Sequence, residues 1–170
     1  MRLRTWSALL LLMACGHVDP RGLWEVRRQD PLTVDPAVLA LHLDLPQGYG
    51  IRSGTARLVL GEARGAISEV FVLRAEGGAF AVAMSDHARF RDTQARLRAA
   101  RAEEGDFEGE LGLFAGPCRT GAARDEDPRI GASLRTGPSA AAIPLLSAAP
   151  LSALAPGLTL EALPDCRSAP

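Results

Sequence analysis

The stretch that decides the fold is residues 38–45, VLALHLDL, in which a leucine recurs at every second position. The leucines occupy positions 39, 41, 43 and 45, and smaller or polar residues, including His42 and Asp44, lie between them. Because successive side chains of a β-strand point to opposite faces, this period of two predicts a strand with one buried face. Pro46 and the glycines that follow it end the strand.

Six further segments on the C-terminal side of this stretch have strand-like patterns. They are residues 56–60, 67–74, 79–84, 107–114, 130–136 and 141–146. Glycine, proline and short polar stretches separate several of them, and short connections between successive strands favour antiparallel pairing. The last two segments flank Gly137 and Pro138 and are predicted to form a hairpin.

One segment has a different pattern, because residues 86–102 contain no glycine or proline and are rich in alanine and arginine. Ser85 is of the type that caps a helix N-terminus, so the sequence predicts a helix over about 86–102. Phe90, Leu97 and Ala100 can share one face of this helix, which therefore needs a surface to cover. We predict an α+β fold, mainly antiparallel β with one substantial helix, as a two-layer arrangement. The alternative is a β-sandwich with a crossover helix.

The N-terminus is organised like an export signal. Arg2 and Arg4 precede an uncharged stretch that ends in the apolar run 8–14, which is shorter than the roughly 20 residues of a spanning helix. Residues 12–15, LMAC, resemble the lipobox of bacterial lipoproteins, although Met13 is bulkier than the usual occupant. The resemblance covers the leader alone. It implies cleavage before Cys15, which is then lipidated and becomes the mature N-terminus.

The resemblance also bears on location. In lipoproteins the residue after the cysteine influences sorting, and Gly16 is not the acidic residue associated with inner-membrane retention. This implies the outer membrane, with the domain facing the periplasm. The alternative is an ordinary secretory signal, which gives a soluble periplasmic or secreted protein. The predicted organisation is a signal peptide (1–14), a lipidated cysteine and tether (15–36), a single globular domain (37–166) and a tail (167–170).

The charge of the chain argues against a polyanionic partner. The sequence has 19 Lys and Arg against 20 Asp and Glu, and because Arg2 and Arg4 belong to the leader, the mature chain carries three more acidic than basic residues. The export signal argues against nucleic acid as well. Every basic residue is an arginine, which we interpret as the imprint of a GC-rich genome.

Two cysteines remain in the mature chain if Cys15 is lipidated. Cys118 and Cys166 form one even pair in a compartment that permits oxidation, and we predict a disulfide between them. The alternative is a buried pair of free thiols. A metal site has less support, since no CxxC motif or nearby histidine supplies further ligands.

Two histidines are candidates for a catalytic role. His42 and Asp44 share one face of the predicted strand, and a histidine beside a carboxylate can act as a general base. That face lies opposite four leucines, which favours a solvated surface, and no GxSxG motif supplies a nucleophile. Asp86 and His87 fall at the predicted helix start, where an acidic side chain complements the helix dipole. We predict no catalytic residue, no cofactor and no metal.

Two charged groups are candidates for a binding role. Five arginines make one side of the helix basic, which indicates a solvated face or, alternatively, a site for phosphate-bearing lipid or glycan: Arg89, Arg91, Arg96, Arg98 and Arg101. The acidic run 125–127 lacks the spacing of an EF-hand and is interpreted as a surface turn.

These features favour one class of function. The leader, the tether and the cysteine pair are typical of an envelope lipoprotein, and we predict a non-enzymatic binding or assembly module. Its partners would be the membrane, through the lipid anchor, and an envelope protein or polymer. The alternatives are a small envelope hydrolase that uses His42 or His87, and a module that binds an anionic lipid or glycan.

Overall fold

The computed structural model describes residues 18–62, 67–103, 109–121, 127–154 and 162–167. Cys15 and the predicted signal peptide (1–14) lie outside the described residues. The α-helices within these ranges are α1 (Pro20–Arg28), α2 (His87–Glu103) and α3 (Leu151–Leu154). The β-strands are β1 (Ala40–Asp44), β2 (Tyr49–Ile51), β3 (Arg57–Glu62), β4 (Ser68–Glu76), β5 (Ala79–Val82), β6 (Gly109–Phe114), β7 (Pro117–Arg119), β8 (Arg129–Arg135) and β9 (Ile143–Pro150).

Seven strands form one antiparallel sheet in the order β6-β3-β4-β5-β1-β8-β9, and β2 and β7 form a separate antiparallel pair. The leucine-rich stretch 38–45 supplies β1, an interior strand, in which Leu41 is paired with Phe80 of β5 and with Leu134 of β8. The predicted hairpin is the antiparallel pair β8 and β9. The predicted α+β class, mainly antiparallel β with one substantial helix, is confirmed.

Helix α2 packs against one face of the seven-stranded sheet, which we call the inner face. Phe90 and Leu97 are buried, and the Phe90 ring lies 4.9 Å from the Phe71 ring of β4, measured between centroids. The helix begins one residue later than predicted, because Met84–Asp86 form a 3-10 turn before it. The prediction that Ser85 caps the helix is wrong, since Ser85 lies inside this turn and the turn has no side-chain cap.

The segment predicted to be a tether is folded from Val18 onward. Val18 forms an antiparallel bridge with Leu146, and the backbone N–H of Asp19 donates to the Leu145 carbonyl oxygen at 3.2 Å. Helix α1 follows, with Asp19 as its N-cap and Pro20 in its first turn. The helix packs on β9. Part of the segment predicted to be a tether is therefore a helix that packs against the sheet.

The chain between α1 and β1 is also held in place, because side chains of α2 satisfy its backbone carbonyls. The buried amide of Gln94 donates to the carbonyl oxygens of Pro31 and Val34, both at 2.9 Å, and Arg98 donates to the Leu32 carbonyl oxygen. Buried carbonyls left without donors would cost about 1–3 kcal/mol each, so these bonds explain why a loop lies against the helix.

Candidate functional site

A cavity of about 570 Å³ lies between α1, the loop that follows it and the inner face of the sheet. Its lining is dominated by aliphatic side chains, which come from α1, β3, β6, β8 and β9: Val26, Leu60, Leu111, Leu113, Leu134 and Leu145. Concave, mostly apolar spaces of roughly 300–1,000 Å³ are the usual form of a small-molecule site. We therefore treat this cavity as the candidate functional site.

The curl of the sheet creates the cavity. Strands β6 and β9 are the two edges of the seven-stranded sheet, yet Leu111 of β6 and Leu145 of β9 line the same space. The two edges therefore face one another across the cavity. Helix α1 covers part of this opening, because it packs on β9 and contributes Leu23 and Val26 to the lining.

The close approach of α1 to β9 depends on Gly22. This residue is buried, and a Cβ atom built on it would lie 1.5 Å from the carbonyl oxygen of Pro144. No side chain fits at that distance. The glycine thus sets the position of the helix that forms one wall of the cavity.

The rim of the cavity combines apolar and charged groups. Val18 and Leu23 are 42% and 50% exposed, and Arg27 is exposed beside them. Arg101 of α2 donates to a carboxylate oxygen of Asp30 at 3.0 Å, and both residues line the cavity. An apolar interior with a few polar groups at its edge is suited to a molecule that has an apolar body and a charged end.

The arginine face predicted on α2 is largely engaged with the rest of the domain. Arg89 pairs with Glu69 at 3.0 Å and with Asp86 at 3.2 Å, and its guanidinium lies 4.2 Å from the centre of the Phe71 ring. Arg96 pairs with Glu69 at 3.4 Å, and Arg91, Arg98 and Arg101 contact Asp35, Leu32 and Asp30. These arginines attach the helix to its neighbours.

The two histidine candidates, for which the sequence predicts no catalytic role, lie apart from the cavity lining. His42 is on the outer face of the sheet, since it alternates with the inward-facing Leu41 and Leu43, and its Nε2 atom is buried without a hydrogen-bond partner among the described residues. Asp44 is exposed on the same face. His87 places Nε2 3.1 Å from the Val82 carbonyl oxygen, which holds the ring against the end of β5.

Asp127 is the one residue of the acidic run 125–127 that the structure describes. Its carboxylate accepts from the backbone N–H of Ser152 at 3.0 Å and from the Ser152 hydroxyl at 2.7 Å. These two donors lower the pKa of Asp127. The residue ties the start of α3 to β8, which is a structural role.

Cys118 and Cys166 lie at disulfide distance, with Cα atoms 4.9 Å apart. Their sulfur atoms pack against Gly50 of β2, where a Cβ atom would lie 3.2 Å from the Cys166 Sγ atom. Cys166 also donates its backbone N–H to the Arg119 carbonyl oxygen at 3.0 Å. The cysteine pair therefore fixes the C-terminal segment to the small β2–β7 sheet, away from the cavity.

Sequence reasoning missed helix α1 and the Asp30–Arg101 pair, which line the cavity, and Gln94, which holds the loop after α1. A signal for α1 is present, because Asp19-Pro20 is a common pairing at the N-cap and first position of a helix. The prolines and charges of the segment outnumber its apolar residues, however, and that composition favours a tether.

The chain matches no protein-family model, and no match was found among curated proteins or solved structures. In the described part of the chain, no helix is long and apolar enough to cross a membrane. The described residues also contain no group of three or more side chains suited to holding a metal ion.

Asp35 supplies a test of how the loop before β1 is attached to α2. The backbone N–H of Ala37 and then the Arg91 side chain, at 3.1 and 3.0 Å, donate to its carboxylate and hold the pKa of Asp35 below the ordinary value of 3.8. A lowered folded-state pKa means that the carboxylate stabilises the fold above about pH 4 and that this contribution is lost as the pH falls through the folded pKa.

We expect Asp35→Asn to be less stable than the unmodified protein at neutral pH, and the difference to shrink as the pH falls through the lowered pKa of Asp35. Arg91→Gln should raise the pKa of Asp35 only part of the way to 3.8, because Ala37 remains as the larger cause. Carboxyl carbon NMR titration measures the pKa directly. A midpoint at or above 3.8 for Asp35 would contradict this account.

Proposed function

We propose that this protein is a non-enzymatic lipoprotein of the cell envelope, anchored through Cys15 to the outer membrane, whose domain binds an acyl chain of an envelope lipid. The observation that carries the proposal is the aliphatic cavity between α1, β3, β6, β8 and β9. The sequence predicts a binding module without naming its ligand. The cavity allows us to propose the class of ligand, which is an acyl chain.

The interior of the cavity favours a hydrocarbon chain. Leucines from both edges of the curled sheet face one another across it, so an extended chain between them would contact apolar groups on several sides. Each methylene removed from water contributes about 0.8 kcal/mol. A chain of about ten methylenes therefore gains enough to offset a substantial cost of association.

The cavity lining contains two arginines, Arg27 and Arg101, and two acidic residues, Asp30 and Glu110; Arg27 is the group that could meet an anionic end of a ligand. Arg27 is exposed at the cavity and has no acidic partner among the described residues. Arg101 shares its charge with Asp30, and the two side chains are partly exposed, at 44% and 33%. A carboxylate or phosphate at the mouth would meet Arg27 first, while its chain lay inside.

One residue at the cavity rim is close in sequence to the proposed lipidation site, which supports a membrane lipid as the source of the ligand. Val18 is at the rim and follows Cys15 by three residues, so the two Cα atoms are at most about 11 Å apart. A lipid on Cys15 would thus hold the mouth near the bilayer. The Cys118–Cys166 pair also fits an oxidising compartment.

Binding of a fluorescent fatty acid, cis-parinaric acid, tests this function. We expect saturable binding to the full protein, and we expect Leu145→Trp to weaken it at least about tenfold, because the larger ring would take up space between the facing sheet edges that the acyl chain needs. Leu154→Trp is the matched control: Leu154 lies on α3, is 42% exposed and does not line the cavity.

Equal affinity in the Leu145→Trp and Leu154→Trp proteins would place any bound fatty acid elsewhere and would contradict the proposal. Absence of binding to a folded protein would do the same. Far-ultraviolet circular dichroism and urea unfolding of each variant establish that it is folded before the comparison is made.

A further inference from the structure

Helix α1 presents an apolar surface to the outside of the domain. Trp24 and Leu23 are 64% and 50% exposed, and Val18, two residues before the helix, is 42% exposed. With 100° between successive residues, Trp24 lies on the side of the helix opposite the buried Gly22. Large exposed apolar side chains grouped on one element indicate a contact surface.

The same helix has a charge opposite to that of the mature chain. Between Pro20 and Arg28 it carries three arginines, Arg21, Arg27 and Arg28, and one acidic residue, Glu25. Arg27 and Arg28 are in its last turn. A surface that combines exposed tryptophan and leucine with arginines is suited to the boundary between the headgroups and the acyl chains of an anionic bilayer.

The position of Cys15 upstream of α1 also favours a membrane as the partner of this surface. The helix begins five residues after Cys15, and the proposed lipid on that cysteine would keep α1 within a short distance of the membrane surface. The domain itself holds α1 firmly, through Gly22 against Pro144 and through the Asp19 to Leu145 hydrogen bond. Contact between α1 and the bilayer would therefore orient the whole domain.

We infer that α1 lies on the surface of a bilayer that contains anionic phospholipids, with Trp24 and Leu23 at the level of the headgroups and Arg21 and Arg28 beside the phosphates. The inference rests on the proposed lipid anchor for its location. Because Leu23 and Arg27 also line the cavity, this orientation would place part of the cavity rim at the membrane surface.

The sequence offers a specific probe. Trp6 and Trp24 are the only tryptophans, so cleavage before Cys15 leaves Trp24 alone. The full chain is expressed in a Gram-negative host and purified from membranes. It is then reconstituted into phosphatidylcholine vesicles with and without phosphatidylglycerol. The lipids of both kinds of vesicle carry brominated acyl chains, which quench tryptophan fluorescence. We expect quenching and a blue shift of Trp24 emission in the vesicles that contain phosphatidylglycerol.

The test variant is Arg21→Glu with Arg28→Glu, which reverses two charges of α1 that do not line the cavity. It should lose most of the quenching. The matched control is Arg57→Glu with Arg74→Glu, two exposed arginines on the outer face of β3 and β4, and it should keep the quenching. Equal quenching in both variants, or without phosphatidylglycerol, would overturn the inference, because the anchor alone would then explain the contact.

The intact mass of the same sample separates this inference from the anchor. Acyl chains on Cys15 without quenching of Trp24 would overturn the contact of α1 and leave the anchor standing. Quenching that depends on phosphatidylglycerol in a product that has lost Trp6 with the leader but carries no acyl chains would support the contact and overturn the anchor.

Discussion

Replacing Gly22 with alanine is expected to displace α1 from β9 and to lower the free energy of unfolding by about 2 kcal/mol, the usual scale of overpacking a tight contact. The added Cβ would lie 1.5 Å from the Pro144 carbonyl oxygen and 2.7 Å from its carbonyl carbon. Both are backbone atoms of a sheet strand, which cannot move aside like the end of a flexible side chain. The helix must therefore shift.

Helix propensity alone predicts the opposite sign for this substitution. Alanine is about 1 kcal/mol more favourable than glycine within a helix, so a Gly22→Ala protein with a freely placed α1 would be more stable. Urea unfolding gives the free energy, and hydrogen exchange of the amides of residues 20–28 reports whether α1 remains docked. Unchanged or increased stability would show that α1 does not pack on β9 as described.

Gly121→Ala provides the matched control. Apart from its chain neighbours, no atom of the described residues lies within 4 Å of a Cβ atom built at Gly121, so the substitution should leave the unfolding free energy within about 0.5 kcal/mol of the starting value. Binding of cis-parinaric acid should fall in Gly22→Ala and stay unchanged in Gly121→Ala, because only the former displaces a wall of the cavity.

Removing both Cys118 and Cys166 is expected to have the largest effect on stability. A disulfide between them would close a loop between positions 48 residues apart, and constraint of the unfolded chain by a loop of that length is worth about 4 kcal/mol in the chain-entropy model. Cys118 is fully buried, so alanine in its place also leaves an unfilled space. This is a large share of a typical domain stability of about 5–15 kcal/mol.

Urea unfolding of the unmodified protein with and without a phosphine reductant measures this effect, and the Cys118→Ala, Cys166→Ala protein serves as the reference that no reductant can alter. The reduced protein and the variant should both be destabilised. A loss of less than about 1 kcal/mol in both would show that the C-terminal segment is held by its backbone hydrogen bonds, such as Arg119 N–H to Pro164 at 3.0 Å, and not by the disulfide.

Local periodicity is enough to predict the class of fold. The alternation in residues 38–45 identifies β1, and the segment without glycine or proline identifies α2. Both signals are strong because a buried face imposes its period directly on the sequence. The short strands β2 and β7 carry three residues each, which is too few for a period to show, and the residues of β2 have the composition of a turn.

The candidate site cannot be predicted in the same way. Its lining comes from strands that are distant in sequence, such as Leu60 of β3 and Leu145 of β9, and no local pattern specifies that a sheet curls until its edges meet. The leucines of β6 and β9 alternate as residues that face a filled core do. Residues that line a cavity show the same alternation, so the sequence does not distinguish the two. Helix α1 escapes prediction because its docking relies on the absence of a side chain at Gly22.

Methyl NMR of leucine-labelled protein during titration with a saturated fatty acid tests most directly whether the cavity holds an acyl chain. We predict saturable shifts of the methyl resonances of Leu111, Leu113 and Leu145, which line the cavity, while those of Leu154 and Leu163, which do not, stay in place. Unmoved cavity resonances in the presence of fatty acid, or shifts confined to the residues outside it, would contradict the proposed function.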